Sequence, residues 1–233
     1  MADQVDRRQF IQRAGVASAA VAGTAWVAPV VLDTNTAWAV GSCPAPTMGL
    51  GTTTGANGWV LTAAGMVSNT AGAGNSGNGG WLGVTQYPTT GTTNRMTVER
   101  DPITSALAGA IVTYDLAVAL TSGNHYVFSY STYVRNVNQY TQHLAVQVGT
   151  GGTGASFVLS STLATYATQT TAGQTLLGPD QAVQTFTSTF VAPSTGTFIF
   201  RYRFTFGTEN ENSANGVADD IGVTGPTVTC SLT

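Results

Sequence analysis

The chain has 233 residues, of which 42% are hydrophobic and only 8% are charged, and its formal net charge is −3. A chain of this length and apolar content is long enough to form one domain with a core of its own. The eight basic residues are all arginines, and their number provides no basic patch of the kind that dominates nucleic-acid binding. The composition therefore excludes nucleic acid as the expected partner.

The first 39 residues are typical of an export signal. Arg7 and Arg8 form a twin-arginine pair, an apolar run follows, and Ala37-Trp38-Ala39 supplies a small-x-small cleavage site. This order closely resembles a bacterial Tat signal peptide. The alternatives are an N-terminal membrane anchor or a helix of the fold, but the apolar run is short for a spanning helix and contains Pro29. We expect cleavage of residues 1–39, no stable membrane insertion afterwards, and a secreted or cell-surface protein formed by residues 40–233.

The remaining chain contains two cysteines, Cys43 and Cys230. An exported chain with two cysteines most simply pairs them. The bond would close a loop of 187 residues and would place the first and last strands side by side. The alternative is a lipid on Cys43, because "VGSC" is a loose match to a lipobox, although "DTNTAWA" separates it from the apolar run.

Alternation of apolar and polar residues is the strongest pattern after the signal. In 197–206, for example, five aromatic residues share one parity, and Arg201 and Arg203 share the other. We predict strands over 58–63, 111–120, 125–135, 143–149, 156–161, 184–191, 197–206 and 219–224. The segment 66–80 lacks apolar periodicity and is predicted to be a glycine-rich surface loop. Short strands with one apolar face predict an all-β fold, a two-sheet antiparallel β-sandwich.

Three motifs resemble the back half of carbohydrate-binding-module-like, or galactose-binding-like, jelly-roll domains. They are a strand opening with Gly123, Tyr126, Phe128 and Ser129, a later segment with Phe190, Ala192, Pro193 and Gly196, and the final strand Asp219 to Val223. The resemblance covers roughly residues 105–228. It implies a jelly roll, a frame that occurs in glycan-binding modules, in adhesion-type domains and in domains of unknown role.

The final strand places two acids, Asp219 and Asp220, next to each other. Ile221 and Val223 share the parity of Asp219, so Asp219 should point inward and Asp220 outward. A buried carboxylate must be hydrogen-bonded, paired or metal-bound. The resemblance therefore suggests a structural Ca²⁺ held by Asp219 with Asn210, Glu211 or Asn212. Backbone hydrogen bonds or an arginine are the alternatives, and opposite faces exclude an acid/base couple.

A glycan-binding surface needs an aromatic platform flanked by planar hydrogen-bonding side chains. The predicted ligand-binding residues have outward parity and would share one surface if their strands were neighbours in one sheet: Tyr133, Arg135, His143, Gln147, Arg201 and Arg203. Trp81, with Trp59 and Tyr87, could form a rim. The alternative is that the arginines are solvated charges that protect sheet edges, and that the tryptophans cover the ends of the core.

Catalytic patterns are weak. His125 and His143 fit no metal-binding spacing, and no G-x-S-x-G elbow occurs. Glu99 and Asp101 are a conceivable carboxylate pair for glycoside hydrolysis. The alternative is that they mark the end of a strand, with Arg100 between them and a turn at Pro102. We predict an exported, non-catalytic module that binds extracellular or cell-envelope glycan. The alternatives are a structural or adhesive surface protein with protein partners and, third, a small glycosidase or lyase.

Overall fold

The structure is a computed structural model, and it describes residues 43–50, 57–69, 79–84, 93–100, 108–135, 141–207 and 219–232. Within these ranges the chain forms β-strands and one short 3₁₀ turn, Gly154–Ser156. The strands build two sheets, one of six strands and one of seven. The predicted two-sheet β-sandwich is therefore confirmed. The predicted signal peptide and its boundary at residue 39 lie outside the described residues.

The strand bounds are as follows. The first seven strands are β1 (Val60–Ala63), β2 (Val67–Asn69), β3 (Gly79–Val84), β4 (Arg95–Arg100), β5 (Ile111–Leu120), β6 (His125–Arg135) and β7 (Gln142–Gly151). The remaining six are β8 (Phe157–Ala167), β9 (Thr175–Leu176), β10 (Val183–Val191), β11 (Gly196–Phe206), β12 (Asp219–Val223) and β13 (Thr227–Ser231).

The six-stranded sheet has the order β1-β5-β11-β7-β8-β9, and the seven-stranded sheet has the order β10-β6-β12-β4-β3-β2, with β13 also paired to β6. All the long strand pairs are antiparallel. The two parallel pairs, β2 with β3 and β8 with β9, are short and lie at the ends of the sheets. This topology places β6 and β7, which follow each other in the chain, in different sheets.

The core lies between the sheets and is rich in aromatic rings. Tyr202 and Phe200 of β11 are completely buried. Two rings of β6 contact them from the other sheet. The ring centroids of Phe128 and Phe200 are 4.9 Å apart, and those of Tyr130 and Tyr202 are 5.5 Å apart. Trp59 stacks on Tyr202 at 5.7 Å. The alternation that predicted the inward faces of β5, β6, β7 and β11 is confirmed by burial.

The prediction of a surface loop over 66–80 is wrong at both ends of that segment. Val67–Asn69 forms β2, and Gly79 begins β3. Gly80 explains why β3 was missed: a Cβ there would lie 2.7 Å from the Tyr114 hydroxyl oxygen and 2.7 Å from Val112 Cγ1. A glycine at such a close approach inside a strand breaks the apolar alternation.

The predicted disulfide is present: Cys43 and Cys230 are bonded, and their Cα atoms lie 5.6 Å apart. Its expected consequence was wrong, however. Cys43 precedes β1, which lies in the six-stranded sheet, whereas Cys230 lies in β13 of the seven-stranded sheet. The bond therefore ties a non-strand segment, not the first strand, to the last. No helix in the described ranges is long and apolar enough to span a membrane.

Candidate functional site

The structure divides the predicted ligand-binding residues between the two sheets. His143 and Gln147 of β7 and Arg201 and Arg203 of β11 lie on the outer face of the six-stranded sheet. Tyr133 and Arg135 of β6 and Trp81 of β3 lie in the seven-stranded sheet. A single shared surface is therefore wrong, because the chain changes sheet between Arg135 and Gln142. Alternation indicates the face of a strand but not the sheet to which the strand belongs.

Arg201 is held inside the protein. Its Nε donates to Asp115 Oδ1 at 2.6 Å, and its Nη2 donates to Asp115 Oδ2 and to the Gly154 carbonyl oxygen, both at 2.7 Å. The Phe157 ring lies 3.7 Å from the guanidinium carbon. The backbone N–H of Gly154 completes the cluster with a 2.6 Å bond to Asp115 Oδ2. Arg201 is only 8% exposed and Asp115 is fully buried, so this arginine has little surface left for a ligand.

The glycine-rich connection between β7 and β8 makes this cluster possible. It folds back over the outer face, which brings Gly154 and Phe157 onto Arg201. Gly149 has no room for a side chain, because a Cβ would lie 2.5 Å from the Phe157 ring. Gly151 adopts a φ of +85°, which glycine tolerates far better than other residues. Gln147 is also buried beside this connection, with Nε2 at 3.5 Å from Thr162 Oγ1.

The sequence interpretation missed Asp115. The available signal was a carboxylate in the middle of the apolar strand "IVTYDLAVAL". Such a group must find a partner when the strand is buried, but the sequence does not reveal which of the arginines supplies it.

His143 and Arg203 line an open groove beside this cluster. The groove has a volume of about 280 Å³, and Ala145, Thr165, Gln174 and Thr205 also line it. Across the β11–β7 pair, Arg203 lies opposite Ala145 and Thr205 lies opposite His143. The small side chain of Ala145 leaves space next to the guanidinium group. His143 Nδ1 lies 2.9 Å from Gln174 Oε1, which fixes the imidazole against the amide.

The seven-stranded sheet buries two of its three predicted ligand-binding residues, and the third, Arg135, is partly exposed. Tyr133 is 6% exposed and Trp81 is 2% exposed. Asp220 is on the face opposite to Ile221, as parity predicted, but it is fully buried, and Arg135 donates to its Oδ2 from Nη2 at 2.7 Å and from Nε at 2.8 Å. The face expected for Asp220 is therefore right, but the exposure expected for an outward residue is wrong, because its carboxylate is buried against Arg135. The arginine partner that we considered for Asp219 occurs at Asp220.

Arg95 is another charged residue buried in this sheet, 4% exposed. Burial lowers the pKa of Arg95 from its ordinary value, and the nearby Tyr133 raises it. The side chain of Arg95 packs over Gly222 of β12, where a Cβ would lie 2.9 Å from Arg95 Cδ. Glycine at this position thus makes room for a buried guanidinium group.

The predicted calcium ligands cannot be placed. Asn210, Glu211, Asn212 and the side chain of Asp219 lie outside the described residues, so the calcium site stays a prediction. Among the side chains that the structure does describe, no three His, Cys, Asp or Glu residues converge to hold a metal.

The predicted aromatic rim lies partly in the core. Trp59 is 3% exposed and donates from Nε1 to the Met48 carbonyl oxygen at 3.1 Å, whereas Tyr87 lies outside the described residues. The large apolar side chains that are exposed in the described ranges are aliphatic, such as Val183 and Val191 of β10. These two valines flank exposed threonines at positions 185, 187 and 189, which form a row of hydroxyl and methyl groups along β10.

The comparisons with known proteins concern the fold. No protein-family model matches the chain, and no curated protein matches it. Carbohydrate-binding modules and adhesin domains of the β-sandwich type are among the solved structures that it is similar to. One is the K3 cleaved adhesin domain of Lys-gingipain from Porphyromonas gingivalis, at 13% identity and a TM-score of 0.46, with 81% of this chain and 98% of that chain covered. Another is a xylan-binding domain from Paenibacillus barcinonensis, at 8% identity and a TM-score of 0.45, with 80% of this chain and 93% of that chain covered.

Proposed function

We propose that this protein is an exported, non-catalytic module that binds glycan in the groove on its six-stranded sheet. The observation that supports the proposal is the lining of the groove. His143, Gln174 and Arg203 bring an imidazole, an amide and a guanidinium group to one open depression of about 280 Å³. Planar groups of this kind suit the paired hydroxyls of a sugar ring, because they offer donors and acceptors in fixed directions.

The shape of the groove favours a chain-like ligand over an enclosed small molecule. The groove lies on a sheet face and is open to solvent, and Thr165 and Thr205 add hydroxyl groups along it. Ala145 supplies a small apolar surface against which the C–H face of a sugar could rest. No Trp, Tyr or Phe ring lines the groove among the described residues, so we expect weak affinity that depends on hydrogen bonds.

A glycan array and a polysaccharide pull-down, each with and without calcium, test this proposal. We expect retention on at least one cell-envelope or extracellular polysaccharide. Gln174→Ala should weaken it because the variant loses an amide that lines the groove. Thr187→Ala, on the exposed face of the other sheet, is the matched control and should bind as the native protein does. If the native protein is retained on no polysaccharide, the proposal is wrong.

The surface of β10 favours one other function, that of a structural or adhesive surface protein. The outward residues of β10 are uncharged and exposed, with Val183 and Val191 about half exposed at its ends. A long, uncharged strand at the edge of a sheet is a template for pairing with another chain. Concentration-dependent association in analytical ultracentrifugation, abolished by Thr187→Lys, would support this alternative.

Export by the Tat route is part of the proposal. Mass spectrometry of the mature protein from its host tests it. We expect a chain that begins at Val40 after cleavage behind Ala39 and carries no lipid on Cys43. An uncleaved N-terminus would contradict the export signal.

A further inference from the structure

The groove contains an arginine, Arg203, whose charge no described residue compensates. Arg135 and Arg201 both form ion pairs with buried aspartates. Arg203, in contrast, forms no ion pair or hydrogen bond with any described residue. Its side chain is partly exposed and lines the groove next to His143 and Gln174. The charge of Arg203 is therefore directed at whatever occupies the groove.

Protection of a sheet edge does not account for Arg203. Charged residues often protect edge strands from pairing with other chains. Arg203, however, lies in β11, which has β5 on one side and β7 on the other. A charge in the middle of a sheet has no such protective role, so the position of Arg203 needs another explanation.

Arg201 shows how this same face treats an arginine whose role is structural. Arg201 and Arg203 lie two residues apart on one side of β11, and Asp115 lies opposite Arg201 in β5. The residue opposite Arg203 in β5 is Thr113, and the one in β7 is Ala145. The fold thus supplies a carboxylate to one arginine, and it supplies a neutral neighbour and open space to the other.

The remaining lining groups match an anionic sugar. No carboxylate lines the groove among the described residues. The contact between His143 and Gln174 uses the amide oxygen of Gln174 and leaves its NH₂ group available as a donor. A guanidinium group presents a planar fork that binds two oxygens of a carboxylate or sulfate at once.

We propose that the groove binds an acidic saccharide and that Arg203 pairs with its oxyanion. This inference rests on the proposed function and names the substrate class for the same site. Because the whole chain carries a net charge of −3, long-range attraction does not assist the acidic ligand. Recognition depends on the short-range contact with Arg203.

The central comparison is between two polymers that share a backbone and differ in charge. Isothermal titration uses polygalacturonate, its fully methyl-esterified form, and chondroitin sulfate, with xylan as a neutral reference. We expect polygalacturonate to bind about tenfold more tightly than its ester, which is the effect of one charge-assisted hydrogen bond. Chondroitin sulfate carries uronate carboxylates as well as sulfates, so unsulfated chondroitin is titrated beside it. Binding that is lost without the sulfate would assign the oxyanion to a sulfate, and equal binding of the two would assign it to a carboxylate.

Variants assign the effect to Arg203. Arg203→Gln should lower affinity for the acidic polymer about tenfold and affinity for xylan much less, because a neutral sugar loses only an uncharged hydrogen-bond partner, whereas Arg203→Lys should retain part of the preference. Thr187→Gln, on the outer face of the other sheet, is the control. It should change neither the affinity for the acidic polymer nor the affinity for xylan. Thermal melting of each variant verifies that it folds.

Two failures are distinguishable. If the acidic polymer and its ester bind equally and Arg203→Gln has no effect, the acidic ligand is wrong while the glycan-binding function stands. If no polymer binds, both are wrong.

Discussion

At the residue scale, two arginines on one side of one strand have opposite surroundings. Arg201 makes two hydrogen bonds to Asp115 and one to a backbone carbonyl group, whereas Arg203 makes none with the described residues. Removing one partner of a buried ion pair leaves an uncompensated buried charge, and this costs about 3 to 5 kcal/mol. Removing a partly exposed, unpaired charge costs much less.

The pair Arg201→Gln and Arg203→Gln provides a matched test of stability. We expect Arg201→Gln to lower the free energy of unfolding by about 3 kcal/mol, because Asp115 would stay buried without its cation. Arg203→Gln should change it by less than about 0.5 kcal/mol. Urea unfolding followed by fluorescence measures both. Equal destabilisation by the two variants would show that Arg203 has a structural partner.

At the element scale, the connection between β7 and β8 decides what the six-stranded sheet exposes. Its 3₁₀ turn, Gly154–Ser156, covers Asp115 and Arg201, while the neighbouring groove stays open. The connection can fold back in this way because positions 149 and 151, at the end of β7, are glycines. A side chain at position 149 would collide with Phe157, and position 151 has a φ that is unfavourable for other residues.

Gly151→Ala tests this dependence. A Cβ at residue 151 would overlap the Ser156 carbonyl oxygen, and the φ of +85° adds backbone strain. We expect a loss of about 1 to 3 kcal/mol in the free energy of unfolding, since the connection must leave Arg201. Gly196→Ala is the control, because a Cβ there meets nothing within 4 Å, and it should be nearly neutral. Circular dichroism melts measure both variants.

At the scale of the whole molecule, tyrosines with buried hydroxyl groups make the sandwich sensitive to alkali. Desolvation by burial raises the pKa of Tyr114, Tyr130 and Tyr202 above the ordinary value of 10. Tyr114 donates to the Thr97 carbonyl oxygen at 2.5 Å, which further requires the neutral form. The folded state thus keeps protons that the unfolded chain releases near pH 10.

The pH dependence follows from the sign of these shifts. The pKa values of these tyrosines are higher in the folded state than in the unfolded state. Their contribution to the free energy of unfolding is therefore complete below pH 10 and is lost as the pH rises further. We expect the free energy of unfolding to fall above about pH 10, by up to about 1.4 kcal/mol per pH unit for each such tyrosine. Urea unfolding across this range, with tyrosinate absorbance recorded in parallel, measures the effect. Ionisation of every tyrosine near pH 10 in an intact fold would contradict it.

The disulfide also stabilises the molecule as a whole. It closes a loop of 187 residues, and in the chain-entropy model such a bond contributes on the order of 5 kcal/mol. We expect reduction to lower the melting temperature substantially, and Cys43→Ala to do the same without a reductant. If reduction leaves the melting temperature unchanged, the unfolded chain is not restrained by this bond as the entropy model assumes.

The sequence predicted the strands far better than it predicted the groove. Alternation is local, so β5 and β6 were predicted at their observed bounds, 111–120 and 125–135. It does not distinguish one sheet from the other, so it could not show that Tyr133 and His143 lie in different sheets. The pairing of Asp115 with Arg201 joins residues 86 positions apart, and no local pattern indicates which distant charges meet.

The bond between Cys43 and Cys230 also has a mechanical consequence. The two sulfurs bracket every strand from β1 to β12. A force that pulls on the chain before Cys43 and after Cys230 therefore travels through one covalent link. The strands from β1 to β12 bear no tension from such a force, so the groove of the six-stranded sheet keeps its resting shape.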